Sequence, residues 1–167
     1  MECVLDQSLC NAEQLLQLEI QARAHGTGIQ QHDLIGCWLL QQVWAKGSNS
    51  YSVINSTVLR AIRARLEIAI EFNEIQLCNI VNLGNLELRF IGKAKLQGKR
   101  PLLLFEFNQI LIKFGRYILF RRLLPAPMST RLMPFFALIA RDSNGWLAAR
   151  GRGGGLALWQ KDLIQAV

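Results

Sequence analysis

The chain has 167 residues, 51% of them hydrophobic and 19% charged, with a formal net charge of +7. That length suits one domain with a sizeable core, and its longest apolar stretches are strand-sized, short of the roughly 18 residues of a membrane-crossing helix. Four cysteines (Cys3, Cys10, Cys37, Cys78) without a Cys-x-x-Cys pair, and two histidines (His25, His32) far from metal spacing, argue against a disulfide scaffold or a metal module.

Glu2 and Asp6 stand where a secretory leader would carry basic residues, so the expected location is cytoplasmic. The charge is uneven. Residues 1–74 hold five Lys/Arg and eight Asp/Glu, residues 75–167 fourteen and four. A basic half of this kind can face anionic headgroups, nucleic acid or an acidic partner, or simply water.

Residues 11–24 read as a helix, with Asn11 and Gln14 forming a capping box, Gly26 as the stop, and Leu15, Leu16, Leu18, Ile20 and Ala22 on the apolar face. After a Gly26-Thr27-Gly28 joint, residues 34–45 read as a strand with Trp38, Leu40, Gln42 and Trp44 on one face. Ser56 or Thr57 can cap a short second helix running to about Arg65. The period then changes to two, predicting strands over residues 67–72 and 75–81.

Residues 86–96 alternate most cleanly, which predicts an antiparallel sheet with one packed face. Gly92 and Ala94 leave space there, as a strongly bent strand or a bound ligand requires. Residues 102–115 continue as strand, with the alternation changing phase near Asn108-Gln109 as a bulge or a hairpin would make it do. Residues 116–124 fit no single pattern, and residues 125–134 form a Pro-containing loop with greasy Met128, Leu132 and Met133.

Residues 135–141, 146–150 and 156–160 complete the sheet, with Asn144-Gly145 supplying a tight turn. One helix, a short second helix and eight or nine strands predict a mainly β, lipocalin-like antiparallel barrel.

Catalytic constellations are scarce. No Gly-x-Ser-x-Gly elbow occurs, and Gly151-Arg152-Gly153-Gly154-Gly155 lacks both the Lys-Ser/Thr ending and the following helix of a phosphate loop. Neither enzymatic activity nor a cofactor is expected. Strand parity nominates Trp38, Leu40, Phe72, Leu88, Phe90, Phe105 and Phe107 as the lining of an oily interior. Trp38 and Arg150 form a candidate barrel-closing pair, guanidinium across indole. Lys93, Lys95, Lys99, Arg100, Arg121 and Arg122 form a candidate surface for anionic membrane.

In order and spacing these features resemble the plastid lipid-associated protein, or fibrillin, family of plastids and cyanobacteria. The likeness lies in the leucine-rich helix, in Ile35-Gly36-Cys37-Trp38-Leu39-Leu40 as a Gly-x-Trp strand, in residues 102–107 as an apolar strand ending in Phe, and in residues 146–158 as a closing hairpin with Arg150-Gly151 and Gly154. The chain departs from the family at the preceding turn, where Asp142 alone replaces several acids and Leu147 stands for an Arg. The resemblance implies non-enzymatic binding of a carotenoid, quinone or other prenyl lipid, and peripheral association with thylakoid membranes. Two other readings stay open: a filled barrel that binds protein or single-stranded nucleic acid, and a bilin-handling protein of similar fold.

Overall fold

The computed structural model describes residues 11–47 and 63–163. Helix α1 (Ala12–His25) begins as its sequence predicts: the Asn11 side chain accepts from the Gln14 amide at 2.9 Å and the Gln14 side chain accepts from the Asn11 amide at 3.1 Å. Its buried stripe is Ala12, Leu15, Glu19 and Ala22, whereas Ile20 is exposed. The stripe follows helical spacing and so selects Glu19 over Ile20.

Among the described residues nine strands follow: β1 (Gly36–Trp44), β2 (Arg65–Glu71), β3 (Glu74–Leu83), β4 (Leu86–Gln97), β5 (Leu102–Phe114), β6 (Tyr117–Leu123), β7 (Phe135–Arg141), β8 (Trp146–Gly151) and β9 (Leu156–Lys161). They make one antiparallel sheet whose strands form a ring. The circuit is β1-β2-β3-β4-β5-β7-β8-β9 and back to β1; β6 lies outside it and, among the described residues, pairs only with β5. Most of the proposed second helix, including Ser56 and Thr57, lies outside the described residues. Arg65, its expected end, opens β2 instead.

Three local features decide which side chains face inward. In β1 a bulge at Gln41 shifts the pairing with β9 between Leu40 and Gln42. The extra residue reverses the alternation, so Trp44 packs outside the ring with Leu156 and Leu158 and does not share a face with Trp38. In β5 the phase change is a bulge at Asn108: Ile91 faces Gln109 while Gly92 faces Phe107. A Cβ on Gly92 would lie 1.8 Å from the Glu106 carbonyl oxygen, so the space beside it belongs to the β5 backbone and not to a guest. Between β2 and β3, Phe72 and Asn73 both adopt positive φ, 50° and 65°. They make the two-residue turn that such angles allow, which leaves Phe72 fully exposed and outside any lining.

Two apolar clusters result. One fills the ring, with Trp38, Leu66, Ile68, Leu77, Leu103, Leu138 and Leu147 among its members. The other lies outside β7, β8 and β9, where Trp44, Ile139, Trp146, Ala148, Leu156 and Leu158 meet Ala12 and Leu15 of α1. Helix α1 therefore seals the outer face that the small residues of β8 leave low.

β7 pairs with Leu102–Leu104 of β5, and β6 with Gln109–Phe114. The far halves of β4 and β5 thus run past β7. With the end of β3 and with β6 they form a four-stranded extension of the ring wall.

Candidate functional site

The two ends of the ring differ. At one end Trp38 is fully buried; its indole Nε1 donates to the Leu34 carbonyl at 2.8 Å, and the Lys161 ammonium sits 5.5 Å from the ring centroid. Ile68, Ile75, Leu77, Leu103, Leu138 and Leu147 pack around it with almost no exposure, and Leu66 stands between this end and the other. This end is closed by its own side chains.

A chain of aromatic contacts crosses the interior next: Phe90 to Phe107 at 5.5 Å, Phe107 to Phe105 at 5.4 Å, Phe105 to Phe136 at 5.1 Å and Phe136 to Trp159 at 5.2 Å between centroids. The first three pairs are tilted and Phe136 meets Trp159 edge to face at 72°, separations and orientations at which aromatic rings attract one another. They join β4, β5, β7 and β9 across the ring.

At the other end lies a cavity of about 340 Å³, bordered by Leu40 and Val43 of β1, Leu66 of β2, Asn79 and Val81 of β3, Phe136 of β7, and Ala157 and Trp159 of β9. That volume is at the lower end of pockets for small organic ligands, ~300–1,000 Å³. Gly151 and Gly155 border it too. Asn79 faces Leu66 on β2 and Phe90 on β4, on the apolar inner side. Its amide offers a donor and an acceptor in an otherwise oily wall. Arg65 borders the cavity, but its guanidinium is engaged by Glu67 at 3.0 Å and Glu87 at 3.4 Å.

The cavity wall continues onto the extension. One register row joins Val81, Leu88, Ile112 and Phe120, and the next joins Asn79, Phe90, Ile110 and Arg122. Paired residues of an antiparallel sheet share a face, so this side is apolar except at its two edges. The opposite side carries the ion pairs of Glu87 with Arg89 at 2.5 Å, Arg65 at 3.4 Å and Lys113 at 3.7 Å. Those cations, Arg89 first, hold the Glu87 carboxyl below the usual range, while burial opposes them.

Of the residues nominated from parity, Leu40 borders the cavity, Phe90, Phe105 and Phe107 belong to the aromatic chain, and Leu88 lies on the inner face of the extension. Trp38 is part of the filled end. Asn79, Phe136 and Trp159 were not nominated. Asn79 was within reach of the alternation, since Ile75, Leu77, Asn79 and Val81 share one parity; the polar side chain obscured it.

Arg150 corrects a second expectation: it does not lie across Trp38. The inward residues of β8 are Leu147 and Ala149, so Arg150 points outward beneath α1. There its Nε donates to Glu19 Oε1 at 2.8 Å, and its Nη2 donates to Glu19 Oε2. Arg100 adds a bond of 2.6 Å and Arg23 one of 3.1 Å to the same carboxylate. The hydrogen bond from Arg150 is the main reason that the Glu19 carboxyl is held below its usual range despite burial. This cluster fastens the helix to the ring.

The cations proposed for a membrane surface do not form one flat patch. Lys93 is paired with Glu74, Arg100 is committed to Glu19, and Lys95 and Lys99 are exposed. Arg121 and Arg122 are exposed on β6, facing opposite sides of the extension. Among the described residues no group of three or more His, Cys, Asp or Glu is placed to hold a metal ion, and no helix is long and apolar enough to cross a membrane. Comparison with family models and with curated proteins finds no match to this chain.

Proposed function

We propose that the ring is a lipocalin-like barrel of the plastid lipid-associated type, and that it carries a hydrophobic small molecule without transforming it. The supporting observation is the asymmetry of the interior: one end is filled by Trp38 and its neighbours, while the other holds an apolar cavity with an inward-facing amide at Asn79. Burying apolar ligand surface there yields ~25 cal/mol per Å², and one hydrogen bond to Asn79 can orient a carbonyl or hydroxyl end. The volume suits a ring head or one prenyl segment, with the rest of a longer chain lying along the Val81-Leu88-Ile112-Phe120 row. Quinones and prenyl lipids with one polar end match this division better than an all-hydrocarbon polyene.

The test is to purify the chain from its native host, extract it with organic solvent and identify the extract by mass spectrometry. An amphipathic isoprenoid at close to one molecule per chain is expected. Protein without lipid, unable to take up a fluorescent fatty-acyl probe, would remove the carrier reading.

A further inference from the structure

We infer that the β5–β6 hairpin docks on an anionic lipid surface, lying along the headgroup layer and presenting the apolar extension beside the cavity to that layer. Every residue of β6 is exposed. Tyr117, Ile118, Leu119 and Phe120 are 60%, 51%, 62% and 45% exposed, and Leu123 is 76% exposed. Four consecutive large apolar residues on a strand place apolar groups on both faces. A strand apolar on both faces can be partly immersed in the interfacial layer of a membrane, where both faces meet apolar groups.

Charge selects the medium. From Phe107 to Arg141 the chain has six Lys/Arg and no Asp or Glu. Of these the hairpin itself carries Lys113, which faces Glu87 at 3.7 Å, and Arg116, Arg121 and Arg122, whose charges a second copy would repeat and an anionic headgroup layer complements. The strip mixes the rings of Tyr117 and Phe120 with aliphatic Ile118, Leu119 and Leu123, and retention of a single-stranded oligonucleotide is therefore an outcome of the test below.

The order of residues sets the depth. Arg116 precedes the apolar segment and Arg121-Arg122 follow it, and four residues of strand span ~13 Å. Arginines at both ends keep the segment level with the headgroups and prevent tip-first insertion. At that shallow depth the open edge of β6 still finds water and ester oxygens for its backbone groups, which the hydrocarbon core would deny it. Met128 and Leu132, both exposed, follow β6 in the chain. This inference deepens the carrier reading by naming the bilayer as the source of the cargo, and rests on that reading for that step alone.

The experiment is vesicle co-sedimentation of the full chain with pure phosphatidylcholine and with one-third phosphatidylglycerol, at low and high salt. Wild-type protein should pellet with the anionic vesicles. Replacing Arg121 and Arg122 by Gln should weaken binding about fivefold per arginine, about 25-fold together. Leu119→Ser with Phe120→Ser should keep low-salt recruitment but lose what survives at high salt. Lys93→Gln with Lys95→Gln should change little.

Four outcomes would overturn the docking surface. These are equal recovery in the supernatant with both vesicles, loss in the Lys93/Lys95 variant matching that in the Arg121/Arg122 variant, a dimer that the Leu119/Phe120 variant converts to monomer, and retention of a single-stranded oligonucleotide that competes with vesicles. Uptake of the acyl probe in vesicle-free buffer should be unchanged in an Arg121→Gln variant, whose side chain lies on the side of the extension away from the Val81-Leu88-Ile112-Phe120 row. Vesicle binding without any uptake would sink the carrier reading and leave the docking surface standing.

Discussion

The closed and hollow ends of the ring are made from the same strands by different rules. At the closed end one large residue, Trp38, reaches the centre and has its N–H satisfied by Leu34, so neighbouring Leu and Ile side chains can pack around it to interior density. At the hollow end the inward positions of β8 and β9 include Gly151 and Ala157, while Leu40 and Val43 stand on either side of a bulge. Small residues and a backbone kink leave volume that the side chains present do not fill. Stability thus concentrates at one end, and room for a ligand at the other.

The largest expected effect tests that contrast directly. Trp38→Ala should cost about 3–5 kcal/mol in urea unfolding, as removal of a large fully buried aromatic does. Leu40→Ala, which only widens an existing void, should cost about 1 kcal/mol. Equal costs would mean that the two ends are packed alike.

The clamp between α1 and β8 comes next. Arg150→Ala should cost about 2 kcal/mol, because Arg23 and Arg100 still face the Glu19 carboxylate and Arg150 is partly exposed. Since the folded Glu19 pKa is depressed, its contribution is present above its unfolded value near 4.5 and is lost as pH falls through the lower folded value. Glu19→Gln should therefore be less stable than wild type at neutral pH, and the difference should shrink on acidification below about 4. A gap that stayed constant with pH would show that the carboxylate charge is irrelevant to the clamp.

The smallest effect concerns the hollow end. Asn79→Leu should weaken binding of a ketone- or hydroxyl-bearing ligand about fivefold, the value of one hydrogen bond, while a pure hydrocarbon binds as well as before or more tightly. Equal losses for both ligands would place the polar contact elsewhere.

Much of this architecture is legible in the residues. Alternation over 86–96, the capping box at Asn11 and Gln14, the phase change near Asn108 and the turn at Asn144-Gly145 all correspond to observed features. The errors cluster where one residue changes the parity or the partner. The bulge at Gln41 turned Trp44 outward, and positive φ at Phe72 removed it from its strand. A buried Glu19 took the arginine that had been assigned to Trp38. β6 escaped a pattern because an edge strand outside the ring has no single packed face to impose one.

The residues alone determined many of the local states: where α1 begins, which strands of the ring have one apolar side, and that half the chain carries the positive charge. Those follow from propensity, period and turn chemistry, which act over a few neighbours. Only the tertiary structure decided that the strands meet in a ring, which end is filled, and that Glu19 meets Arg150 from 131 positions away. Such pairings depend on register, and a single extra residue in a strand exchanges its inner and outer faces without altering its composition.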